Sequence, residues 1–350
     1  MRTLITGSSG LIGSEAATFF DAMGFPVTGV DNNMRADFFG PKGDTTRNRL
    51  RLEATCKQFH HVTMDIRDRE AVDGLFKRGR FQLVIHAAAQ PSHDLAAKRP
   101  FDDFDVNAVG TLNLLEACRR QTPGAVFIHV STNKVYGDGP NSIRLKERET
   151  RWDYDDPSYV NGIPEEFPVD RCLHSLFGVS KLAGDLLAQE YGRYFGMNTG
   201  IFRGGCLTGP QQSGVELHGF LNYLIRAALS SDVYTIFGYQ GKQVRDQIHA
   251  WDAVNAFWHF AQKPRPGEVY NLGGGRENSA SLLDCLAMIA KRTGKRPTLT
   301  YSEKTRVGDH ICYYSDLRKL RSHYPEWSVT RSLDRIVDEI IESVTTELRA

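Results

Sequence analysis

The chain has almost no net charge: 43 Lys and Arg against 42 Asp and Glu leave +1 with histidine neutral. A charge that small gives no field to gather nucleic acid or an anionic membrane, and neither is expected as a partner. Any phosphate must be met by local groups. Long apolar runs are missing too, and no stretch approaches the roughly 20 residues of a membrane-spanning helix. The six cysteines, Cys56, Cys118, Cys172, Cys206, Cys285 and Cys312, form no C-x-x-C pair and no zinc spacing, so no metal centre is expected. Scattered thiols suit a reducing compartment better than a disulfide framework. The sequence opens directly on strand-like residues, Arg2 to Thr6, with no leader pattern. The expected location is the cytoplasm. Internal repeats and low-complexity tracts are absent.

What remains is ordinary globular composition, 41% hydrophobic and 24% charged over 350 residues. That length suits one large α/β domain with a smaller lobe. Thr3 to Thr6, Val27 to Val30, Gln82 to His86, Val126 to Val130 and Asn198 to Phe202 read as strands. Leu11 to Met23, Thr111 to Arg120 and Phe177 to Phe195 read as helices, the last ended by Gly196. The alternation predicts an α/β fold, a Rossmann-type doubly wound parallel sheet whose apolar strands are buried on both faces. We assign residues 1–203 to this domain. Residues 204–244 and 276–350 are assigned to a smaller C-terminal substrate-binding lobe, with 245–275 open to return to the main domain. The stretch 137–174, rich in Pro, Asp and Asn, reads as a long active-site loop.

Gly7-Ser8-Ser9-Gly10-Leu11-Ile12-Gly13 joins the first strand to the first helix. A tight turn, close backbone approach and helix–strand packing each need a glycine there, and the helix N-terminus can hold a pyrophosphate. Ser9, Leu11 and Ile12 belong to the same cradle. Asp31, followed by Asn32, ends the second strand, where an acid accepts both ribose hydroxyls. That carboxylate favours NAD over NADP; nearby Arg35 keeps NADP as the lesser alternative.

Two further strings carry chemistry. Ser131-Thr132-Asn133-Lys134-Val135-Tyr136-Gly137-Asp138 follows the strand ending at Val130, where ligands bind in open α/β sheets. In His174-Ser175-Leu176-Phe177-Gly178-Val179-Ser180-Lys181, Phe177 and Lys181 share one helix face. With the G-x-x-G-x-x-G turn, these strings resemble the extended short-chain dehydrogenase/reductases and their NAD-dependent epimerases and dehydratases. The segment 131–138 and Gly241-Lys242-Gln243-Val244-Arg245-Asp246-x-x-His249 are similar to the CDP-paratose 2-epimerase (tyvelose epimerase) group.

The resemblance implies NAD-dependent C2 epimerisation of a CDP-sugar through a keto intermediate, with the cofactor recycled. A 4-epimerase, a 4,6-dehydratase or a uronate decarboxylase is the alternative within enzymes. A dehydratase would carry Asp-Glu where Asn133-Lys134 stand. By resemblance, Thr132 bonds the reacting oxygen and Lys181 binds the nicotinamide ribose. Asp65, Ile66, Ala87, Ala88 and Ala89 contact the adenine and phosphate-ribose half, unless the alanines only pack closely under the sheet edge, and Asn107 steadies the active-site helix. Gln90, Ser131, Asn133, Gln212, Ser213 and His218 line the sugar and nucleotide pocket. Arg245 and Arg306 clamp the pyrophosphate through their planar forks, unless they only pair with Asp246 and Asp309. The helices Thr111 to Arg120 and Phe177 to Phe195 resemble a four-helix homodimer interface, though their apolar residues also suit an internal core.

The departure is Phe177, which stands where the family has its proton-transferring tyrosine. Losing general acid–base help costs typically 10²–10⁴-fold in rate. Either Phe177 is an engineered, disabling change, or another group takes the proton, or the chain binds a sugar nucleotide without turning it over. Cys206, His174 and Thr132 are the candidate substitutes, His174 reading rather as a loop hydrogen-bonding residue. We put forward Cys206, at another strand end, as the surrogate base, with a small buried hydrophobe as its other reading. The run Gly204 to Pro210 around it also departs from the family pattern.

Overall fold

The computed structural model describes residues 1–212, 214, 219–305 and 307–349. Seven strands, Thr3–Thr6, Val27–Val30, Phe59–Val62, Leu83–His86, Val126–Thr132, Asn198–Gly204 and Glu268–Leu272, form one parallel sheet. Counted in chain order they lie 7-6-5-4-1-2-3. The order reverses beside the first strand, whose Thr6 is in register with Val30 on one side and His86 on the other. Crevices for ligands open at such a switch point.

The continuous apolar runs follow from this burial. Leu4 and Ile5 point to opposite faces, as do Val84 and Ile85, Phe127 and Ile128, and Ile201 and Phe202. One face is covered by Ala16, Ala17 and Phe20 of helix Leu11–Ala22 and by Val254 and Phe257 of helix Ala250–Gln262. Val72 and Phe76, Leu114 and Leu115, and Ala188 and Tyr191 cover the other, from helices Arg69–Gly79, Gly110–Gln121 and Ser175–Phe195.

The second body is interleaved with the first. Strands Cys206–Thr208, Val244–His249, Ser279–Ser281 and Cys312–Tyr313 make a separate small sheet. Helices Phe220–Ser230, Leu282–Thr293 and Leu333–Arg349 share a core of Leu224, Ile225, Leu286, Ile336 and Ile340. Between these pieces the chain goes back: Glu268–Leu272 is the edge strand of the main sheet, and Leu317, Leu320 and Trp327 enter its core.

The stretch 137–174 is more ordered than its composition predicts. It contains an antiparallel pair, Leu145–Glu147 with Trp152–Tyr154, and joins the lobe through Tyr136, Tyr154, Tyr313 and Tyr314. Strands of three residues are too short to show an alternating pattern, and the aromatics that anchor them find partners only far along the chain.

Glu165, at the end of this stretch, accepts the Asn271 backbone N–H at 2.7 Å. Burial pushes its carboxyl up to about 7, against the pull of that bond. A carboxyl raised in the folded state stabilises fully below its unfolded value and loses that contribution as pH rises through 7. Glu165→Gln keeps the acceptor oxygen and removes the charge. Urea melts should show it more stable than the parent at pH 8 by up to about 3 kcal/mol, with most of the gain gone at pH 5. An equal gain at both pH values would exclude titration of Glu165 as the cause.

Candidate active site

A cavity of about 480 Å³ opens where the C-terminal strand ends meet the lobe, a size typical of small-molecule sites. Its cofactor half is built on the turn after the first strand. Gly7 has φ +68°, and a Cβ there would lie 2.7 Å from the Ala88 nitrogen. A Cβ on Gly13 would lie 2.0 Å from the Gly7 carbonyl oxygen. The turn therefore admits only glycine at both positions. Helix Leu11–Ala22 begins at Gly10 with no side-chain cap and no acid in its first turn. Its leading N–H groups are left for an anion, which fits a pyrophosphate.

Asp31 accepts the N–H groups of Ser9 at 3.0 Å and Asn33 at 2.7 Å, which aims its carboxylate along the cavity wall it shares with Asn32. Gly7, Gly10, Leu11, Ile12, Gly13, Asp65, Ile66, Ala87, Ala88 and Ala89 line the same half. Ser9 stands behind this wall, and its carbonyl accepts from Asn48 at 3.0 Å. Asp65 is committed to Arg67 at 2.8 Å; burial works against its charge, but the guanidinium holds the carboxyl below its usual range. Arg35 also reaches the wall, its guanidinium brought down to about 10 by burial.

Ser131, Thr132, Asn133, Phe177 and Lys181 line the reactive half. The Thr132 hydroxyl oxygen accepts the Lys134 N–H at 3.3 Å. Lys181 is buried and donates to the Val130 carbonyl at 2.8 Å. Desolvation lowers its ammonium to about 8, with Asp185 and Asp103 opposing. Burial and this cation keep neighbouring His86 and His129 neutral, the first at about 3. Phe177 is 6% exposed and presents its ring where a tyrosine would place a phenol.

Two candidate substitutes for that phenol, Cys206 and His174, do not place a base on this wall. Cys206 is on the wall, but burial pushes its thiol up to about 11 despite Arg245 and Lys134. At neutral pH it is a protonated thiol, not a base, which corrects the expectation placed on it. His174 stands off the wall, its Nε2 bonded to the Val135 carbonyl at 3.0 Å.

A family model described as the NAD dependent epimerase/dehydratase family matches residues 3–273. The chain belongs to this family. The CDP-paratose 2-epimerase of Salmonella typhi is 32% identical over 336 residues, 94% of each chain. A UDP-glucuronic acid 4-epimerase of Bacillus cereus, solved with UDP-glucuronic acid and NAD, is 27% identical at a TM-score of 0.80, covering 99% of this chain and all of its own. A Tyr→Phe variant of that enzyme, solved with UDP-4-deoxy-4-fluoro-glucuronic acid and NAD, is 26% identical at 0.81 over the same extent. This member of the epimerase/dehydratase family is thus an NAD-dependent enzyme.

The remaining wall of this epimerase/dehydratase is cationic. Arg245 is 11% exposed in its side chain and pairs with Asp309 at 2.7 Å, while Lys134 reaches the same carboxylate oxygen at 2.6 Å. Two cations around one carboxylate leave a positive charge facing the cavity. Burial opposes the charge on Asp309, and the two cations hold its carboxyl well below the usual range. Asp246 is not part of this cluster; it is buried and accepts the N–H groups of Ser315 and Gly275 at 3.0 and 3.2 Å. Gln212 lines the wall nearby. Ser213, His218 and Arg306 lie outside the described residues.

Gln90 departs from expectation. Its amide is turned away from the cavity, donating to the Ser92 carbonyl at 2.9 Å and to Asp103 at 2.7 Å. Asn107, on a single π-helical turn Asp105–Val109, is buried beside it and donates to the Gln90 carbonyl and to the Ser180 hydroxyl, each at 3.0 Å. The pair braces the wall from behind. The sequence reading missed Lys134 and His93. Lys134 stood inside a recognised string, but its partner Asp309 is remote in sequence. His93 carried no local signal; it stands beside Phe177 only because helices His93–Lys98 and Ser175–Phe195 pack together.

Proposed function

We propose that the chain is an NAD-dependent nucleotide-sugar epimerase that inverts C2 of a CDP-sugar, converting CDP-paratose to CDP-tyvelose through a 2-keto intermediate. What carries this reading is its 32% identity to CDP-paratose 2-epimerase across 94% of each chain, with Thr132, Lys181 and Arg245 all lining one cavity. Bound NAD supplies the hydride acceptor and donor. Backbone N–H groups of the Gly7–Gly13 turn hold its pyrophosphate, Asp31 and Asn32 its adenosine ribose, and Asp65, Ile66 and Ala87 to Ala89 the rest of that half. Lys181 holds the nicotinamide ribose. Thr132 bonds the reacting sugar oxygen, with Ser131, Asn133 and Gln212 around the sugar. Arg245, with Lys134, takes the sugar nucleotide's diphosphate, a task for which a planar fork is suited. Asn133-Lys134 in place of Asp-Glu argues against a dehydratase.

The exposed residues Leu176, Val179, Leu186 and Tyr194, spaced three, seven and eight positions apart, share one face of helix Ser175–Phe195. Such a stripe supports a homodimer. A sedimentation mass equal to one chain would remove it.

Phe177 favours one second reading, a protein that binds NAD and sugar nucleotide without turnover. Incubating the chain with CDP-paratose, beside Phe177→Tyr, and following the sugar C2 proton coupling by NMR separates the two. The expected result is tyvelose from the chain as it stands. Tyvelose from the tyrosine variant alone would make Phe177 disabling. No product from either would remove the substrate assignment.

A further inference from the structure

We propose that His93, oriented by Ser175, exchanges the sugar hydroxyl proton in place of the absent tyrosine. The proposal rests on the epimerase reading above. His93 is the first residue of helix His93–Lys98 and lines the cavity together with Phe177. The two ring centroids are 5.0 Å apart with planes at 60°. The imidazole thus packs against the ring that stands where the tyrosine would be, on the cavity side where the sugar hydroxyl is to be met.

The imidazole is held for the task. Its Nδ1 lies 2.8 Å from the Ser175 hydroxyl. Ser175 adopts φ +64°, a left-handed conformation unusual for serine, at the first position of the helix that carries Phe177 and Lys181. The same hydroxyl oxygen accepts the Gly178 N–H at 3.4 Å. A serine hydroxyl can donate to Nδ1 or accept from it, so it supports an imidazole that either carries or lacks a proton at Nε2. An epimerase needs that duality, because the proton taken in the first half must be returned in the second.

The bracing found behind the wall now has a purpose. The Ser92 N–H donates to Gln90 at 2.6 Å, and the Gln90 amide returns a bond to the Ser92 carbonyl, which fixes the residue before His93. Gln90 and Asn107 both donate to Asp103, and Asn107 donates to Ser180 on the Phe177 helix. Buried side chains that touch no substrate thus hold the imidazole in register with Phe177 and Lys181.

The electrons balance without any further reagent. Bound NAD would accept the C2 hydrogen with its electron pair, as hydride, when the C2–H bond breaks in the oxidising half. The hydroxyl proton passes to His93 Nε2, and the O–H electron pair becomes the second bond of the ketone. In the reducing half, hydride returns to the opposite face of C2 and Nε2 returns the proton to oxygen. Lys181, held on the Val130 carbonyl, stays the cationic partner of the ribose.

The test uses the NAD-loaded protein. His93→Gln is expected to slow CDP-paratose epimerisation and single-turnover reduction of bound nicotinamide by about 10² or more, while changing CDP-paratose affinity less than about threefold. His93→Gln with Phe177→Tyr is expected to recover at least about tenfold, which a merely structural histidine would not allow. An independent reading comes from the unaltered chain: its His93 imidazole NMR signal, identified by Overhauser contact with Phe177, should move on binding a nucleotide sugar but not on binding CDP. Turnover by His93→Gln within about threefold of the parent, or an imidazole signal unmoved by bound nucleotide sugar, overturns the role of His93 alone. Failure of calorimetry to detect binding of any nucleotide sugar would sink the epimerase reading, and this proposal with it.

Discussion

Asp185→Ala is expected to destabilise the protein by about 3–5 kcal/mol, the usual penalty for leaving a buried charge without its partner. Asp185 is fully buried on helix Ser175–Phe195 and takes both arms of Arg203 at 3.0 Å. The carboxylate also accepts from the Ser131 hydroxyl and the Gln189 amide, each at 2.6 Å. Arg203 lies at the end of the sixth sheet strand and donates to the Tyr136 hydroxyl at 3.1 Å, with its guanidinium 5.0 Å above that ring. Burial works against the Arg203 charge, and Asp185 more than offsets it, so the guanidinium is held above its usual value. One carboxylate therefore ties together the active-site helix, the strand end that supplies Ser131, and the long loop through Tyr136. Urea melts should show the midpoint falling with an unchanged slope. Asp185→Leu with Arg203→Met should recover part of the loss, because it removes the stranded charge as well as the bond. A loss below about 1 kcal/mol in Asp185→Ala would mean that water reaches Arg203 and the pair is not structural.

Much of the main domain was legible because its signals are local. The Gly7–Gly13 turn, Asp31 at a strand end and the Phe177–Lys181 spacing are each set by a few consecutive residues, and the strands announce themselves by burial on both faces. The lobe was harder. Val244–His249 pairs in the small sheet with strands that begin 38 residues before and 35 and 68 residues after its own start, while Glu268–Leu272 crosses back to the large one. No local period encodes that exchange. Side-chain direction was least legible of all. Gln90 follows the alanines of the cofactor wall and has the chemistry of a sugar ligand, yet the carbonyl of Ser92 and the carboxylate of Asp103 satisfy it first. Cys206 stands where a base would be useful, but burial keeps its proton on.

Lys181→Met is expected to move activity and stability in opposite directions. The lysine is buried, and desolvation brings its ammonium from an ordinary 10.5 down to about 8. A lowered ammonium means that folding below pH 8 carries the charge inside at a penalty, which fades as pH rises from 8 towards 10.5. The shift is equivalent to at most about 3 kcal/mol. Methionine keeps the stem volume and drops the charge, at the loss of one bond to the Val130 carbonyl worth about 1–3 kcal/mol. The net expectation at pH 7 is a variant as stable as the parent, or more stable by about 1–2 kcal/mol, with the difference turning against the variant near pH 10. Hydride transfer should meanwhile fall by about 10²–10⁴, the range for losing a positioned catalytic group. Thermal melts at pH 7 and pH 10, with single-turnover reduction of bound NAD, read both effects on one sample. A variant that is clearly less stable at pH 7 would show that Lys181 is a structural cation. One that is stable and retains full hydride transfer would show that the nicotinamide ribose is held by other groups. Stability gained with transfer lost would mark Lys181 as a charge kept buried for the reaction, at the expense of the fold that surrounds it.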